Sequence, residues 1–152
     1  MMIKKLLLPL SFMFIFFGCK KDKGVSNQLL GKWYYARLVI YSGKDGKELK
    51  REEGNTCEKK SYKEFLSGGV LKDAGYAQIN KKCESTGFGP NRYKYDVSAK
   101  KIIAWFDSNG ENSPTGIYLV RSITATQLEL QLYERDVNGD GVDDPHVYVC
   151  TK

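Results

Sequence analysis

The chain has 152 residues, of which 41% are hydrophobic and 28% are charged, and its formal net charge is +6. This length allows at most one ordinary globular domain. The lysines are spread along the chain in pairs and do not form one basic run with interleaved aromatic residues, so nucleic acid is excluded as an expected partner.

The first element of the chain is an export signal over residues 1–18. Lys4 and Lys5 precede an apolar run over residues 6–18 that ends directly at Cys19. A helix of this length reaches only about 20 Å, at about 1.5 Å per residue, and the hydrocarbon core of a membrane is about 30 Å thick. The run is therefore predicted to be a signal peptide and not a lasting membrane anchor.

A small residue followed by Cys19 at the end of this run resembles the lipobox of bacterial lipoproteins, in which the chain is cleaved before the cysteine and the thiol is acylated. The alternative is an unacylated cysteine in a secreted or inner-membrane-retained chain. Several acyl chains hold a protein firmly on a membrane, because each buried CH₂ adds about 0.8 kcal/mol. Lys20 stands where an aspartate would mark inner-membrane retention, so we expect a lipid anchor in the outer membrane, with the domain on its periplasmic or surface-exposed face.

Residues 19–28 are mostly charged and polar, and they are predicted to be a flexible tether between the lipid and a domain over residues 29–152. The segment 29–42 is rich in aromatic and β-branched residues and lacks proline, which predicts the first strand of a β-barrel. The segment 48–54 is too charged for a core strand and is predicted to be an exposed edge or loop.

Later segments show the period-two alternation of half-buried strands. Tyr93, Tyr95 and Val97 are expected to share the inner face of one strand. Leu128, Leu130 and Leu132 are expected inside another. The segment 102–107 is apolar on both faces, which predicts a strand covered on each side. The other predicted strands are 57–66, 70–79, 116–123 and 146–151.

Eight or nine short strands with a turn signal about every ten residues predict an all-β fold, an antiparallel up-and-down barrel of about eight strands. Closure of the sheet removes the exposed edges that promote aggregation. A barrel of about eight strands is filled by side chains or holds one small ligand. Aromatic residues spaced along strands are more often core than cavity wall. The candidates for lining a cavity are Trp33, Tyr93, Tyr95, Trp105 and Tyr118.

Several short motifs follow one another along the predicted domain: Gly31-Lys32-Trp33, Tyr62-Lys63-Glu64-Phe65 with Gly68-Gly69 between Cys57 and Cys83, Tyr93-Lys94-Tyr95, and Ser122-Ile123-Thr124 ahead of Leu128-Glu129-Leu130. Their order resembles the bacterial lipocalin-like domain found in many small lipoproteins, and the resemblance covers nearly all of the mature chain. The chain departs from the family pattern in three places: a long insertion after Gly43, two turn glycines where one is usual, and Cys150. The resemblance implies an up-and-down barrel, but no common ligand or catalytic residues.

Three cysteines remain in the predicted domain. An exported chain meets an oxidising compartment, so one disulfide among three candidate pairings and one free thiol are expected. We favour Cys57 with Cys83, because both lie at predicted strand–loop junctions flanked by polar residues, and the resemblance implies the same pair. Closing this loop should stabilise the fold by about 3 to 4 kcal/mol. Cys150 is then expected to be a small buried residue in the last strand.

The segment 136–144 resembles the first nine positions of a calcium-binding loop, with oxygen-bearing residues at alternate positions and a glycine that permits a sharp turn. The bidentate Glu usual at the twelfth position is absent, since Val147 stands there. The alternative interpretation is a hairpin loop in which Asn-Gly and Asp-Gly are turn residues, and it needs the glycines but not the regular spacing of oxygens. The candidate calcium ligands are Asp136, Asn138, Asp140, Val142 and Asp144.

Catalysis has little support in the sequence, because His146 is the single histidine and no Ser or Cys lies in a nucleophile motif. The expected function is that of a non-catalytic envelope lipoprotein that binds a small apolar ligand or an envelope partner. The alternatives are an inhibitor of an envelope-directed enzyme such as a lysozyme, or a calcium-dependent surface interaction protein. Loss of Lys4 and Lys5 leaves a mature net charge of +4, which argues against binding a basic lysozyme.

Overall fold

A computed structural model describes residues 27–152, so the predicted signal peptide and Cys19 lie outside the described residues. In the described residues the secondary structure is all β apart from two short 3₁₀ turns, Glu58–Lys60 and Ser67–Gly69. Within this range no helix has the length and apolar character needed to cross a membrane. The strands are β1 (Gly31–Tyr41), β2 (Glu48–Glu53), β3 (Tyr62–Leu66), β4 (Val70–Ile79), β5 (Lys82–Phe88), β6 (Arg92–Asp96), β7 (Lys101–Trp105), β8 (Gly116–Ile123), β9 (Gln127–Arg135) and β10 (Asp144–Thr151).

Eight of these strands close into an antiparallel barrel in the order β1, β3, β4, β6, β7, β8, β9, β10, and β10 pairs back onto β1. Apart from two inserted hairpin strands, each strand of the barrel pairs with the next one in the chain. Such connections are short and need no crossover. The predicted up-and-down barrel of about eight strands is confirmed.

The first strand connects several parts of the sheet. One edge of β1 pairs with β10 from Tyr34 to Ile40. Its other edge pairs first with β3, up to Tyr34, and then with β2, from Arg37 onward. Because β4 likewise continues past the start of β3 to pair with β5, two hairpins extend the sheet beyond the closed barrel on either side of β3.

The two strands outside the barrel, β2 and β5, are exposed along their whole length. This confirms the prediction of an exposed edge at 48–54. In contrast, β5 was not predicted, because a strand with both faces in solvent needs no alternation of apolar and polar residues. Cys83 therefore lies within a strand and not at the junction expected for it.

Side chains from the inward positions of the eight barrel strands form one packed core. Trp33 and Phe65 are both 0% exposed, and the indole Nε1 of Trp33 donates a hydrogen bond to the Leu29 carbonyl at 2.8 Å. The ring of Phe65 meets that of Tyr93 edge to face, with 5.0 Å between centroids. The other members of the core are Leu71, Tyr95, Ile102, Ala104, Val120, Leu128, Leu130 and Cys150.

Several local predictions were wrong. Val97 is 51% exposed, because β6 ends at Asp96 and Val97 lies in the following turn. Leu132 is only partly buried, because the β9 register shifts opposite His146 and Val147 and carries it out of phase with Leu130. The segment 102–107 is not covered on both sides, since its strand is buried at alternate residues only and ends at Trp105. The predicted strand 57–66 starts at Tyr62, after a 3₁₀ turn.

Candidate functional site

A cavity of about 330 Å³ lies inside the barrel beside the packed core. Trp33 and Tyr35 contribute one wall from β1, and Tyr148 and Cys150 contribute the adjoining wall from β10. Since Trp33 also belongs to the packed core, it lies between the filled part of the barrel and the cavity. The volume falls within the range of small-molecule sites in proteins, about 300 to 1,000 Å³.

The opposite wall carries a pair of charged side chains. Lys63 of β3 and Asp73 of β4 are directly opposite each other across the hairpin, and both line the cavity. Their side chains are only 15% and 14% exposed, and the ammonium donates a hydrogen bond to the Asp73 carboxylate. Tyr118 of β8 approaches the same ammonium, with its hydroxyl 3.4 Å and its ring centroid 4.9 Å from Nζ.

The electrostatics of this pair keep the lysine protonated. Burial acts to lower the pKa of Lys63, but the neighbouring Tyr118 and Asp73 outweigh that effect, so the pKa lies above its ordinary value. A protonated ammonium has no lone pair and cannot act as a nucleophile. The arrangement is therefore suited to binding by charge and hydrogen bonds, and not to Schiff-base chemistry.

Two phenols that line the cavity, Tyr35 and Tyr148, and the thiol of Cys150 are held in their neutral forms. Burial, with a smaller contribution from Tyr148, raises the pKa of Tyr35 to about 12. Burial also raises the pKa of Tyr148 above its ordinary value. The pKa of the Cys150 thiol rises to about 12 for the same reason, so this thiol is inert as a nucleophile at neutral pH.

The disulfide Cys57–Cys83 fastens the outer wall of the cavity. Its Cα atoms are 5.4 Å apart, and it ties the 3₁₀ turn that carries Glu58 to strand β5. Ser61 ties the end of the same turn to strand β4, because its hydroxyl accepts a hydrogen bond from the Tyr76 N–H at 2.9 Å. The predicted pairing of Cys57 with Cys83 is confirmed, and Cys150 is a buried free thiol.

The structure separates the five aromatic residues proposed from the sequence as cavity candidates. Trp33 lines the cavity, and Tyr118 contacts Lys63 at its edge. Tyr93 and Tyr95 belong to the packed core instead. Trp105 alternates with the buried Ala104 and therefore lies on the outer face of the barrel.

The loop 136–144 directs most of its carboxylates at its own backbone. Asp136 accepts hydrogen bonds from the N–H groups of Gly139 and Gly141, at 2.7 and 2.9 Å. Asp140 accepts one from Val142, and the Asn138 amide oxygen accepts one from Asp140.

Asp144 is fully buried at the end of this loop, and its carboxylate accepts hydrogen bonds from Val137 and Gly43, at 2.8 and 2.9 Å. These bonds lower its pKa, with that from Val137 contributing most. In the part of the chain that the structure describes, no group of three or more His, Cys, Asp or Glu side chains is placed to hold a metal ion. Calcium binding by this loop stays a prediction.

A second cavity, of about 450 Å³, lies between the β1–β2 hairpin and the ends of β9 and β10. His146 lines it and is 6% exposed, with its ring stacked on Tyr133 at 4.3 Å between centroids. Its Nδ1 lies 3.0 Å from the Asp144 carbonyl. The histidine therefore faces a different cavity from Cys150, and the two side chains do not form a catalytic pair.

The sequence argument overlooked Lys63 and Asp73, although a usable signal was present. Phe65 and Leu71 are apolar inward positions on either side of a tight turn. Because side chains alternate along a strand, the residues two positions further from the turn face inward as well. These are Lys63 and Asp73, which bear opposite charges and are opposite each other in the hairpin.

No protein-family model matches the chain, and no curated protein sequence matches it significantly. Among solved structures, the chain is similar to a deswapped triple mutant of bovine odorant binding protein, with 11% sequence identity and a TM-score of 0.39. The similarity covers 82% of this chain and 74% of that chain. A similarity of this degree carries no argument about ligand or mechanism.

Proposed function

We propose that the chain is a non-catalytic binding protein, anchored by lipid in the cell envelope, that holds one small molecule in the cavity beside Trp33. The observation that supports binding is the 330 Å³ cavity itself, lined by aromatic rings and by one pair of opposite charges. Pockets of this kind, mostly apolar with a few placed polar groups, are the usual form of small-ligand sites.

Binding is proposed in preference to catalysis because of the state of the groups at the cavity. The thiol of Cys150 has a pKa of about 12, and the ammonium of Lys63 is held protonated by its neighbours. His146 faces the other cavity. Among the described residues that line the cavity, no general base is therefore paired with an activated nucleophile.

Binding can be tested through Trp33, which lines the cavity, while Trp105 lies on the outer face. The full-length chain should be titrated with toluene, a small apolar probe without polar groups, while tryptophan fluorescence is followed. Toluene should change the emission of the Trp105→Phe variant, in which Trp33 is the sole tryptophan, and should leave that of Trp33→Phe unchanged. Emission from Trp33 that is indifferent to toluene up to its solubility limit would contradict the proposal.

The envelope location rests on Cys19 and the apolar run before it, and it is tested separately. Cys19→Ser should release the protein from the membrane fraction or leave the signal peptide uncleaved, because the acylated thiol is lost. Membrane fractionation of the wild-type and variant chains, with the precursor and mature masses determined, measures both outcomes. Normal processing with unchanged fractionation in the variant would refute lipid anchoring.

A further inference from the structure

The Lys63–Asp73 pair is unusual for the inside of a small barrel and calls for a physical explanation. Moving two charges out of water costs several kcal/mol per ion, and an apolar pair of similar volume is often as stable or more stable. The neighbouring inward pair of the same hairpin, Phe65 with Leu71, is apolar. Stability alone therefore does not account for a charged pair at this position.

Two glycines make room for the groups that surround the pair. A Cβ atom on Gly89 would lie 2.3 Å from a carboxylate oxygen of Asp73. A Cβ atom on Gly116 would lie 2.7 Å from the hydroxyl of Tyr118. Any larger residue at either site would displace one partner of Lys63, so the backbone itself is adapted to this polar group.

The balance of charge in the cavity determines which ligands it favours. Lys63 and Asp73 cancel each other, and Glu58 adds a carboxylate to the wall. Tyr35 and Tyr148 are neutral phenols at physiological pH. An anionic ligand would meet two carboxylates and one ammonium that is already paired. A cationic ligand would have to compete with Lys63 for Asp73, and with the Asn55 N–H for the Glu58 carboxylate that it bonds at 2.9 Å. Both cases leave a charge poorly compensated in a site of low dielectric.

The remaining capacity of the pair suits a neutral polar group. The ammonium has three N–H donors, and it directs one at Asp73 and a long one at Tyr118. Within residues 27–152, one donor and the second carboxylate oxygen have no further protein partner and are left for a ligand. The rings of Tyr35 and Tyr148, which are only partly buried, lie beside them and offer surface for an aromatic body.

We propose that the Lys63–Asp73 pair selects uncharged aromatic molecules that carry a group able both to donate and to accept hydrogen bonds, such as a primary amide. This inference rests on the proposed function, because it names the ligand class of the same cavity. The amide oxygen would accept from the Lys63 ammonium and the amide N–H would donate to the Asp73 carboxylate. The aromatic ring would lie against the rings of Tyr35 and Tyr148, close to Trp33.

Three probes of nearly equal size and different charge test the inference in the full-length Trp105→Phe chain: 2-phenylacetamide, phenylacetate and 2-phenylethylamine. Excitation at a wavelength that these probes do not absorb reports on Trp33 alone. We expect the neutral amide to bind about tenfold or more tightly than either charged probe at pH 7, since an uncompensated charge in the site costs at least that factor. Toluene, without a polar group, serves as the reference for binding by the cavity alone.

Variants then assign the preference to the pair. In Lys63→Met/Asp73→Leu the amide should lose its advantage over toluene, because its hydrogen-bonding partners are gone. The matched control is Lys94→Met/Glu111→Leu, which removes an exposed ion pair of 2.7 Å outside the cavity and should leave the order of affinities unchanged.

The outcomes separate the two proposals. Phenylacetate or 2-phenylethylamine binding as tightly as the amide to the Trp105→Phe chain would overturn the inference without any charge-pair variant, and a response to toluene would then leave the proposed function standing. No response to any of the four probes would overturn both. The inference would also fail if the double variant bound the amide with the same advantage over toluene as the Trp105→Phe chain.

Discussion

Two neighbouring cross-strand pairs of the β3–β4 hairpin lead to opposite interiors. Phe65 with Leu71 is apolar and nearly fully buried, and Lys63 with Asp73, the next inward pair along the same strands, is charged and lines a cavity. The two pairs are separated by about 7 Å along the strand. The inner face of one hairpin can therefore change from packed core to polar binding wall within a single step of the alternation.

The packed pair should respond most strongly to truncation. Phe65→Ala is expected to lower the free energy of unfolding by about 3 to 5 kcal/mol, because it removes a fully buried ring and leaves a space that the closed barrel does not refill. Urea denaturation followed by far-UV circular dichroism measures the change. The matched control is Phe88→Ala, whose ring is 81% exposed, and it should shift stability by no more than about 0.5 kcal/mol. Equal losses of unfolding free energy in Phe65→Ala and Phe88→Ala would contradict the assignment of Phe65 to the packed core.

The disulfide should make the next largest contribution to the free energy of unfolding, and it lies on the cavity side of the barrel. Cys57→Ser/Cys83→Ser opens a loop with a sequence separation of 26 residues and should cost about 3 to 4 kcal/mol of unfolding free energy. Thermal melting with and without dithiothreitol measures this loss. The reductant should lower the Tm of the wild-type chain and leave that of the double variant unchanged. A wild-type Tm that is unchanged after full reduction would show that the stability of the cavity wall does not depend on the disulfide.

The losses of unfolding free energy in variants of Lys63 and Asp73 should be non-additive, because the two side chains form one ion pair. Lys63→Met leaves the Asp73 carboxylate without its main partner and should cost about 1.5 to 3 kcal/mol of unfolding free energy. Adding Asp73→Leu should recover most of this loss, because two apolar side chains of similar volume replace both charges. Lys94→Met, in an exposed pair with Glu111, should cost less than about 1 kcal/mol. Strictly additive losses at Lys63 and Asp73, measured by urea denaturation, would argue against a coupled pair.

The loop 136–144 belongs neither to the packed core nor to the cavity wall, so its predicted calcium site should act independently of both. Without a bidentate Glu the dissociation constant should fall at about 10⁻⁴ to 10⁻³ M. Calcium at about ten times that constant should stabilise the native state by about 1.4 kcal/mol and raise the Tm by several degrees. Asp140→Ala should remove the response while the domain still folds. A wild-type Tm that is the same in millimolar calcium and in EDTA would leave the hairpin interpretation.

The smallest effects are expected from two phenols, the buried Tyr93 of the packed core and the half-buried Tyr35 of the cavity wall. The Tyr93 hydroxyl donates to the Leu66 carbonyl at 2.9 Å, so Tyr93→Phe should cost about 1 kcal/mol of unfolding free energy at neutral pH. No protein hydrogen bond of the Tyr35 hydroxyl is formed within the described residues, so Tyr35→Phe should be close to neutral in the absence of ligand.

Alkaline pH should affect both phenols in the same direction. Each has a pKa raised from 10.0 to about 12, by burial in both cases and for Tyr35 also by Tyr148. The stabilisation by the neutral form is complete below pH 10, and it is lost as the pH rises through 12. Denaturation midpoints measured between pH 9 and 12 should fall in the wild-type chain and fall less in each phenylalanine variant. Midpoints that fall equally in all three chains would assign the alkaline loss to other groups.

Much of the barrel was predictable because its signals are local. Alternation in 127–135 and 92–96 reflects one buried and one solvated face, and the turns between strands carry Gly, Asn and Asp at positions that need them. Short connections then place each strand beside the next. The disulfide was also accessible, since the predicted export signal implies an oxidising compartment and leaves one pairing to choose among three cysteines.

The binding wall was not predicted, because it depends on where the core stops. Lys63 and Asp73 occupy the same inward phase as Phe65 and Leu71, and the alternation alone does not distinguish a filled interior from an open one. Trp105 shows the same limit of the sequence argument. Its size suggested a residue that lines the cavity, but its place in the alternation of β7 puts it on the outer face of the barrel. The unpredicted strand β5, with both faces in solvent, forms part of the same wall through Thr86.

The sequence by itself therefore indicated the class of fold, the pairing of successive barrel strands and the favoured cysteine pair, because alternation and turn chemistry act over a few residues at a time. Tertiary structure alone decided which inward side chains are packed and which surround a cavity. That outcome depends on how β1 and β4 extend beyond β3 and on the room left by Gly89 and Gly116. These are contacts between residues distant in the chain, and no local pattern encodes the volume that such contacts leave empty.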